Sequence, residues 1–154
     1  MRRVCAADAP DAHGDPSPCA GPTRAVRGYA SAVRVLACLP AVLIAALIWW
    51  LSSTPDLAVA AGALDTVLRK AAHIGIFAAL ALACVLALRA NGVRAAAAIA
   101  IGALIALGYA AVDELHQSTV PTRNGAVSDV MIDALGVGLA SLALARRARR
   151  PVPC

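Results

Sequence analysis

The chain has 154 residues, 60% of them hydrophobic and 15% charged, with a net charge of +5, a mean hydropathy of +0.74 and a pI near 9.3. That composition exceeds what a soluble globular domain carries and predicts a membrane protein with room for one helical bundle and a tail. The basic residues are scattered through flanks with no aromatic or motif context, which argues against a nucleic-acid partner and gives them a topological role.

Residues 1–30 carry Asp8, Pro10, Asp11, Gly14, Asp15, Pro16, Pro18, Gly21 and Pro22 without apolar periodicity, and read as a disordered cytoplasmic tail. The first apolar run, Val35 to Leu51, follows Arg24, Arg27 and Arg34 and ends at Trp49 and Trp50, whose indole rings favour the headgroup boundary. It is expected to span the bilayer. A cleaved signal peptide is the competing reading, but the run is too long for one and Ser52-Ser53-Thr54-Pro55 is a poor cleavage site.

A second helix is expected from Leu64 to Leu88, closed by Arg89, Asn91 and Gly92. A third follows from Ala95 to Gln117. Pro121, Asn124 and Gly125 form a turn-rich joint, and a fourth helix runs from Val127 to Ala145 before Arg146, Arg147, Arg149 and Arg150. The fold class is therefore all-α: a four-helix transmembrane bundle over residues 33–146 with a basic cytoplasmic tail at 147–154, each span near the roughly 20 residues a bilayer needs. Gly136 with Ala140, and Gly102 with Ala106, are small-residue pairs four apart that allow close helix approach.

With both termini cytoplasmic, every one of the 14 Lys and Arg residues except Arg69, Lys70 and Arg123 lies inside, which is the orientation the positive-inside rule favours. The protein is then expected in the cell membrane, among lipids, with Asp56, Asp65, Asp113, Glu114, Asp129 and Asp133 toward the external side. Its cysteines form no CxxC pair and are expected to be reduced. Neither a prenylation box at Cys154 nor a lipoprotein signal before Cys19 is present, so no lipid anchor is expected.

Helix rise places the polar residues within these spans. His73 lies roughly 24 Å from Arg89, Asp113 roughly 28 Å from Arg94, Asp129 roughly 26 Å from Arg146 and Asp133 only about 20 Å from it. Asp133 is thus the deepest carboxylate and should face the bundle with a partner. Lys70 and His73 are three apart, Asp113, His116 and Gln117 stand at i, i+3 and i+4, and Asp129 and Asp133 are four apart. Each of the last three helices therefore presents one polar stripe, and turning the stripes toward one another avoids exposing charge to lipid. The expected result is an externally facing polar pocket, rimmed by Arg123.

These residues carry a family resemblance. Arg69-Lys70-Ala71-Ala72-His73, then Asp113-Glu114-Leu115-His116-Gln117 through Val120-Pro121-Thr122-Arg123 to Asp129, Asp133 and Gly136, resembles the signature of the VanZ-like family, as does Leu51-Ser52-Ser53-Thr54-Pro55. The likeness covers roughly residues 35 to 145. Phe77 stands where many members have Tyr, and Thr122 where Gly is common. The resemblance implies an integral membrane protein of the cell envelope, in a family whose founding member is associated with resistance to teicoplanin.

Candidate ligand-binding residues are Lys70, His73, Asp113, Glu114, Gln117, Arg123, Asp129 and Asp133, and candidate catalytic groups are His73, Asp113, Glu114 and Asp133. His73 is suited to act as a base or proton shuttle oriented by Asp133 or Asp129, or else to form a buried pair that fixes helix register. Lys70 is placed to neutralise Asp113, to bind a phosphate, or to snorkel. Arg123 and Lys70 suit an anionic ligand, with an Arg123 to Asp129 ion pair as the alternative. Asp113 and Glu114 beside His116, with His73, offer metal-ligating atoms, but no HExxH or CxxC spacing supports a site, so neither metal nor cofactor is expected.

Three functions from different classes remain. The first is a non-enzymatic protein that binds an anionic envelope lipid or glycan through its pocket. The second is a membrane-embedded enzyme of envelope lipid or glycan metabolism with His73 as base, disfavoured because no recognised nucleophile or metal motif appears. The third is a proton-linked transporter component, for which four helices would have to form a homo-oligomer.

Overall fold

The computed structural model describes residues 32–55, 62–121, 123 and 125–150; the tail expected over 1–30 and residues 151–154 lie outside the described residues. Among the described residues, a short helical stretch at 32–36 precedes four longer helices: α1 (Leu39–Ser52), α2 (Ala63–Ala90), α3 (Ala95–Gln117) and α4 (Val127–Ala148). All are long and apolar enough, by length and composition, to belong to spans that cross a membrane, the first span being Ala32–Ser52.

Local chemistry sets the ends. The first apolar run is not one smooth helix: residues 37–38 form a turn before α1, and Pro40 sits in the first turn of α1, where its missing N–H costs no hydrogen bond. At the end of α2 Gly92 adopts φ 86°. There its N–H bonds to the Arg89 carbonyl at 3.0 Å and the Val93 N–H to the Leu88 carbonyl at 3.0 Å, a Schellman closure for which glycine is suited. The Asn91 side chain adds a bond to the Ala87 carbonyl at 2.9 Å. α3 keeps the limits read from the sequence, whereas α4 continues past Ala145 to Ala148 because Arg146 and Arg147 are good helix formers placed at the favourable end of the helix dipole.

α2, α3 and α4 pack on one another, and α1 lies against α2 and α3. The shared core holds Ile48, Phe77, Leu80, Ala81, Cys84, Ala106, Ala110 and Val137. Bulk is scarce in it, so contact depends on backbones coming close. A Cβ added at Gly136 would run into the Ile74 carbonyl oxygen of α2, and one at Gly102 would meet the Val85 side chain at 2.7 Å. Both small-residue sites expected from the sequence thus mark close contacts with α2. The Tyr109 hydroxyl donates to the Ala45 carbonyl at 2.7 Å, tying α3 to α1.

Candidate functional site

At the end of the bundle that carries the α1–α2 and α3–α4 joints, polar groups converge from all four helices. Asp113, Glu114 and Gln117 on α3, Asp133 on α4 and Ser52 on α1 are all buried. In such surroundings a carboxylate without donors or a counter-charge is costly, so the bonds each one makes define the site.

Asp113 and Asp133 are completely buried. Asp113 Oδ2 accepts from Ser52 Oγ at 2.9 Å and from Gln117 Nε2 at 2.8 Å, and Gln117 Nε2 also reaches Ser52 Oγ at 3.2 Å. This triangle locks the last turn of α1 to the last turn of α3. Asp133 Oδ1 lies 3.0 Å from His73 Nδ1, which joins α4 to α2 and gives the deepest carboxylate the partner it was expected to have. Glu114 Oε2 accepts the Ala126 N–H at 2.9 Å, so this side chain caps the start of α4. That bond depends on the joint lying flat on α3: a Cβ at Gly125 would collide with the Glu114 carbonyl oxygen.

One oxygen of each carboxylate, Asp113 Oδ1, Glu114 Oε1 and Asp133 Oδ2, is buried without a hydrogen-bond partner. His73, Glu114 and Asp133 each offer a ligand atom, and these atoms lie within 4.8 Å of one another. Among the described residues these three, from three helices, are the group able to share a cation; of the set considered from sequence, His73 and Glu114 belong to it, and Asp113 and His116 do not.

Above the buried groups opens a cleft of about 260 Å³ lined by Thr66, Arg69, Lys70, His73, Gln117, Arg123, Asp129 and Ile132. Two ion pairs stand here. Arg69 bonds Asp65 one turn away, through Nε to Oδ2 at 2.7 Å, and Lys70 Nζ is 4.0 Å from Asp129 Oδ1.

Three pairings considered from the sequence are not the ones formed. Lys70 pairs with Asp129 rather than Asp113, because Asp113 is turned inward to Ser52 and Gln117. Arg123 does not pair with Asp129; its Nη2 donates to the Leu51 and Thr54 carbonyls at 2.9 and 3.1 Å and its Nε to Thr54 at 3.3 Å, satisfying carbonyls at the end of α1. Burial pushes the Arg123 guanidinium below its ordinary pKa and the nearby Arg69 adds to this, while Asp113 and Glu114 pull it back up. His116, though in register with Asp113 and Gln117, leaves the pocket for α1. Its ring stacks on Trp49 at 3.9 Å and 14°, and its Nε2 is 2.9 Å from Ser53 Oγ.

Sequence reasoning turned Lys70, His73, Asp113, His116, Gln117, Asp129 and Asp133 inward: Asp113, Gln117 and Asp133 are buried, Lys70, His73 and Asp129 line the cleft, and His116 packs on α1, while Glu114, a candidate outside those stripes, is buried too. It had missed Ser52, Thr66, Ile132 and the lining role of Arg69. For Ser52 a signal existed, a hydroxyl pair at the end of an apolar span, but nothing in its spacing pointed to Asp113.

A family model described as VanZ/LLP1 matches residues 28–147, most of the chain. No curated protein and no solved structure matches it significantly.

Proposed function

We propose, given that the chain belongs to the VanZ/LLP1 family, that this multi-pass membrane protein acts at the cell envelope by binding an anionic envelope lipid or glycan in the cleft above its buried carboxylates. Both termini are then cytoplasmic and the cleft faces outward. The charge count supports that orientation, since among the described Lys and Arg residues only Arg69, Lys70 and Arg123 fall on the cleft side.

The observation that carries the reading is the cleft wall itself, where Arg69, Lys70 and Arg123 stand around one opening beside Thr66 and Gln117. The Lys70 side chain is half exposed and its ion pair with Asp129 is stretched, so its charge is available to an incoming phosphate or carboxylate. Anchored by α1 carbonyls, Arg123 adds fixed positive potential rather than a mobile arm. Reduced susceptibility to glycopeptides such as teicoplanin is the outcome such binding would produce in a susceptible bacterium.

The test expresses the protein in such a host and compares wild type with Lys70→Ala and Arg69→Ala. Teicoplanin susceptibility should return toward the host's own level in both variants while membrane abundance stays within about twofold, as expected for exposed side chains. Unchanged protection in both variants would remove the cleft from the function, and a wild type that gives no protection would remove glycopeptide resistance from it.

One observation favours a second reading. His73 lines the cleft and is held by a fully buried Asp133, which is the arrangement of a general base and its orienting carboxylate. On that reading the protein is a membrane-embedded enzyme of envelope lipids or glycans, and lipid extracts from cells expressing wild type and His73→Ala would differ in a processed species.

A further inference from the structure

From the arrangement beneath the cleft, we infer that His73, Glu114 and Asp133 bind one divalent transition-metal cation, of the class of Zn²⁺ or Mn²⁺. The set contains one imidazole and two carboxylates, a mixed nitrogen and oxygen shell that suits these ions better than Ca²⁺, which takes six to eight oxygens, or the softer cations that prefer thiolate. The three candidate ligand atoms lie within 4.8 Å of one another. His73 Nδ1 and Asp133 Oδ1 are 3.0 Å apart. Two ligands held at about 2.1 Å from one metal are separated by about 3.0 Å at an octahedral right angle and about 3.4 Å at the tetrahedral angle, so that pair is close to the spacing of a coordination edge.

An independent observation points the same way. Glu114 Oε1 and Asp133 Oδ2 are buried with no hydrogen-bond partner, on residues that are 94% or more buried. The fixed cations at this end bond elsewhere: Lys70 pairs with Asp129, Arg69 with Asp65, and Arg123 with α1 carbonyls. A single proton can bridge two of these ligand atoms. A cation with four or more coordination positions reaches all three and keeps a position for a ligand arriving through the cleft that His73 also lines. Sequence spacing could not reveal such a set, because metal motifs are recognised by ligands close together on one element, and here each ligand comes from a different helix.

This assignment stands apart from the anionic-ligand reading and is tested without it. The full chain, purified in detergent with any affinity tag removed, is stripped with chelator and titrated with Zn²⁺, Mn²⁺ and the spectroscopic probe Co²⁺. Wild type should take up one equivalent of metal, with a visible Co²⁺ spectrum and a raised melting temperature. His73→Ala, Glu114→Gln and Asp133→Asn should each weaken uptake by about tenfold or more, while Lys70→Ala leaves uptake unchanged even where it abolishes antibiotic protection. Stoichiometric uptake that persists in all three ligand variants would overturn the assignment. So would a stripped wild type that binds none of the three ions, a result that decides the matter even if a ligand variant fails to fold.

Discussion

The two ends of the bundle are built on opposite plans. At the cleft end, buried carboxylates are joined across helices by directional bonds: Ser52 to Asp113, His73 to Asp133, and the Ala126 N–H to Glu114. At the other end Arg89, Arg94, Arg146 and Arg147 are exposed, and the helices meet through Ala83, Val85, Ala87 and Ala98. A second cleft there, edged by Arg89 and Arg147, is otherwise apolar. The difference teaches that helix association in this protein has two separable sources. Small-residue packing runs the length of the bundle, and among the described residues the side-chain to side-chain bonds between helices lie at one end. The polar end therefore fixes which helix faces which, and in the proposed orientation the basic end is the cytoplasmic one.

The comparison breaks most severely at Gly136, one turn from Asp133. Gly136→Ala drives a methyl into the Ile74 backbone carbonyl, which cannot rotate away. A loss of about 3 kcal/mol or more is expected, despite the better helix propensity of alanine. Stability in detergent should fall and the His73 to Asp133 pairing should be lost with it; a variant as stable as wild type would show that α4 need not touch α2 there.

Asp113→Ala comes next. It leaves Ser52 and Gln117 buried without their shared acceptor, for an expected cost of about 1–3 kcal/mol. Looser attachment of α1 should appear as faster amide exchange over its last turn, and unchanged exchange would locate the α1 anchor elsewhere, at Arg123 and Tyr109.

Gly102→Ala sharpens the contrast between the two glycines. Its new methyl meets Val85 Cγ2 at 2.7 Å and the Val85 backbone N at 3.1 Å, a milder overlap than that with the Ile74 carbonyl, so the cost should be about 1–3 kcal/mol and below that at Gly136. A thermal melt comparing the two variants ranks them directly.

The smallest effect belongs to Arg147→Gln at the exposed basic end, where stability should change by less than about 0.5 kcal/mol. The same variant combined with Arg146→Gln and Arg149→Gln should lower the fraction of chains with a cytoplasmic C-terminus, as read by a terminal reporter fusion. An inverted wild type would reverse the orientation proposed for the cleft.

Much of this plan was legible in the sequence. The limits of α3 and the stop at Asn91 and Gly92 follow from apolar length and turn chemistry, and the inward direction of Asp113, Gln117 and Asp133 follows from the cost of exposing charge to lipid. The interruption before Pro40 was missed because the surrounding run is uniformly apolar, and hydropathy does not register a missing N–H. His116 was placed with Asp113 because helical spacing puts them on one side. A helix side is broad, however, and α1 occupies part of it, so His116 faces Trp49 while Asp113 faces Ser52.

By itself, the sequence determined that four apolar segments form helices long and apolar enough to cross a membrane, where most of them stop, and which residues must avoid lipid. Those properties arise from transfer energies and backbone preferences that each residue carries locally. Only the tertiary structure decided that Glu114 joins His73 and Asp133, that Arg123 bonds α1 carbonyls, and that Lys70 meets Asp129. Partner choice depends on the rotation and separation of helices distant in the chain, and close contacts such as Gly136 against Ile74 set both.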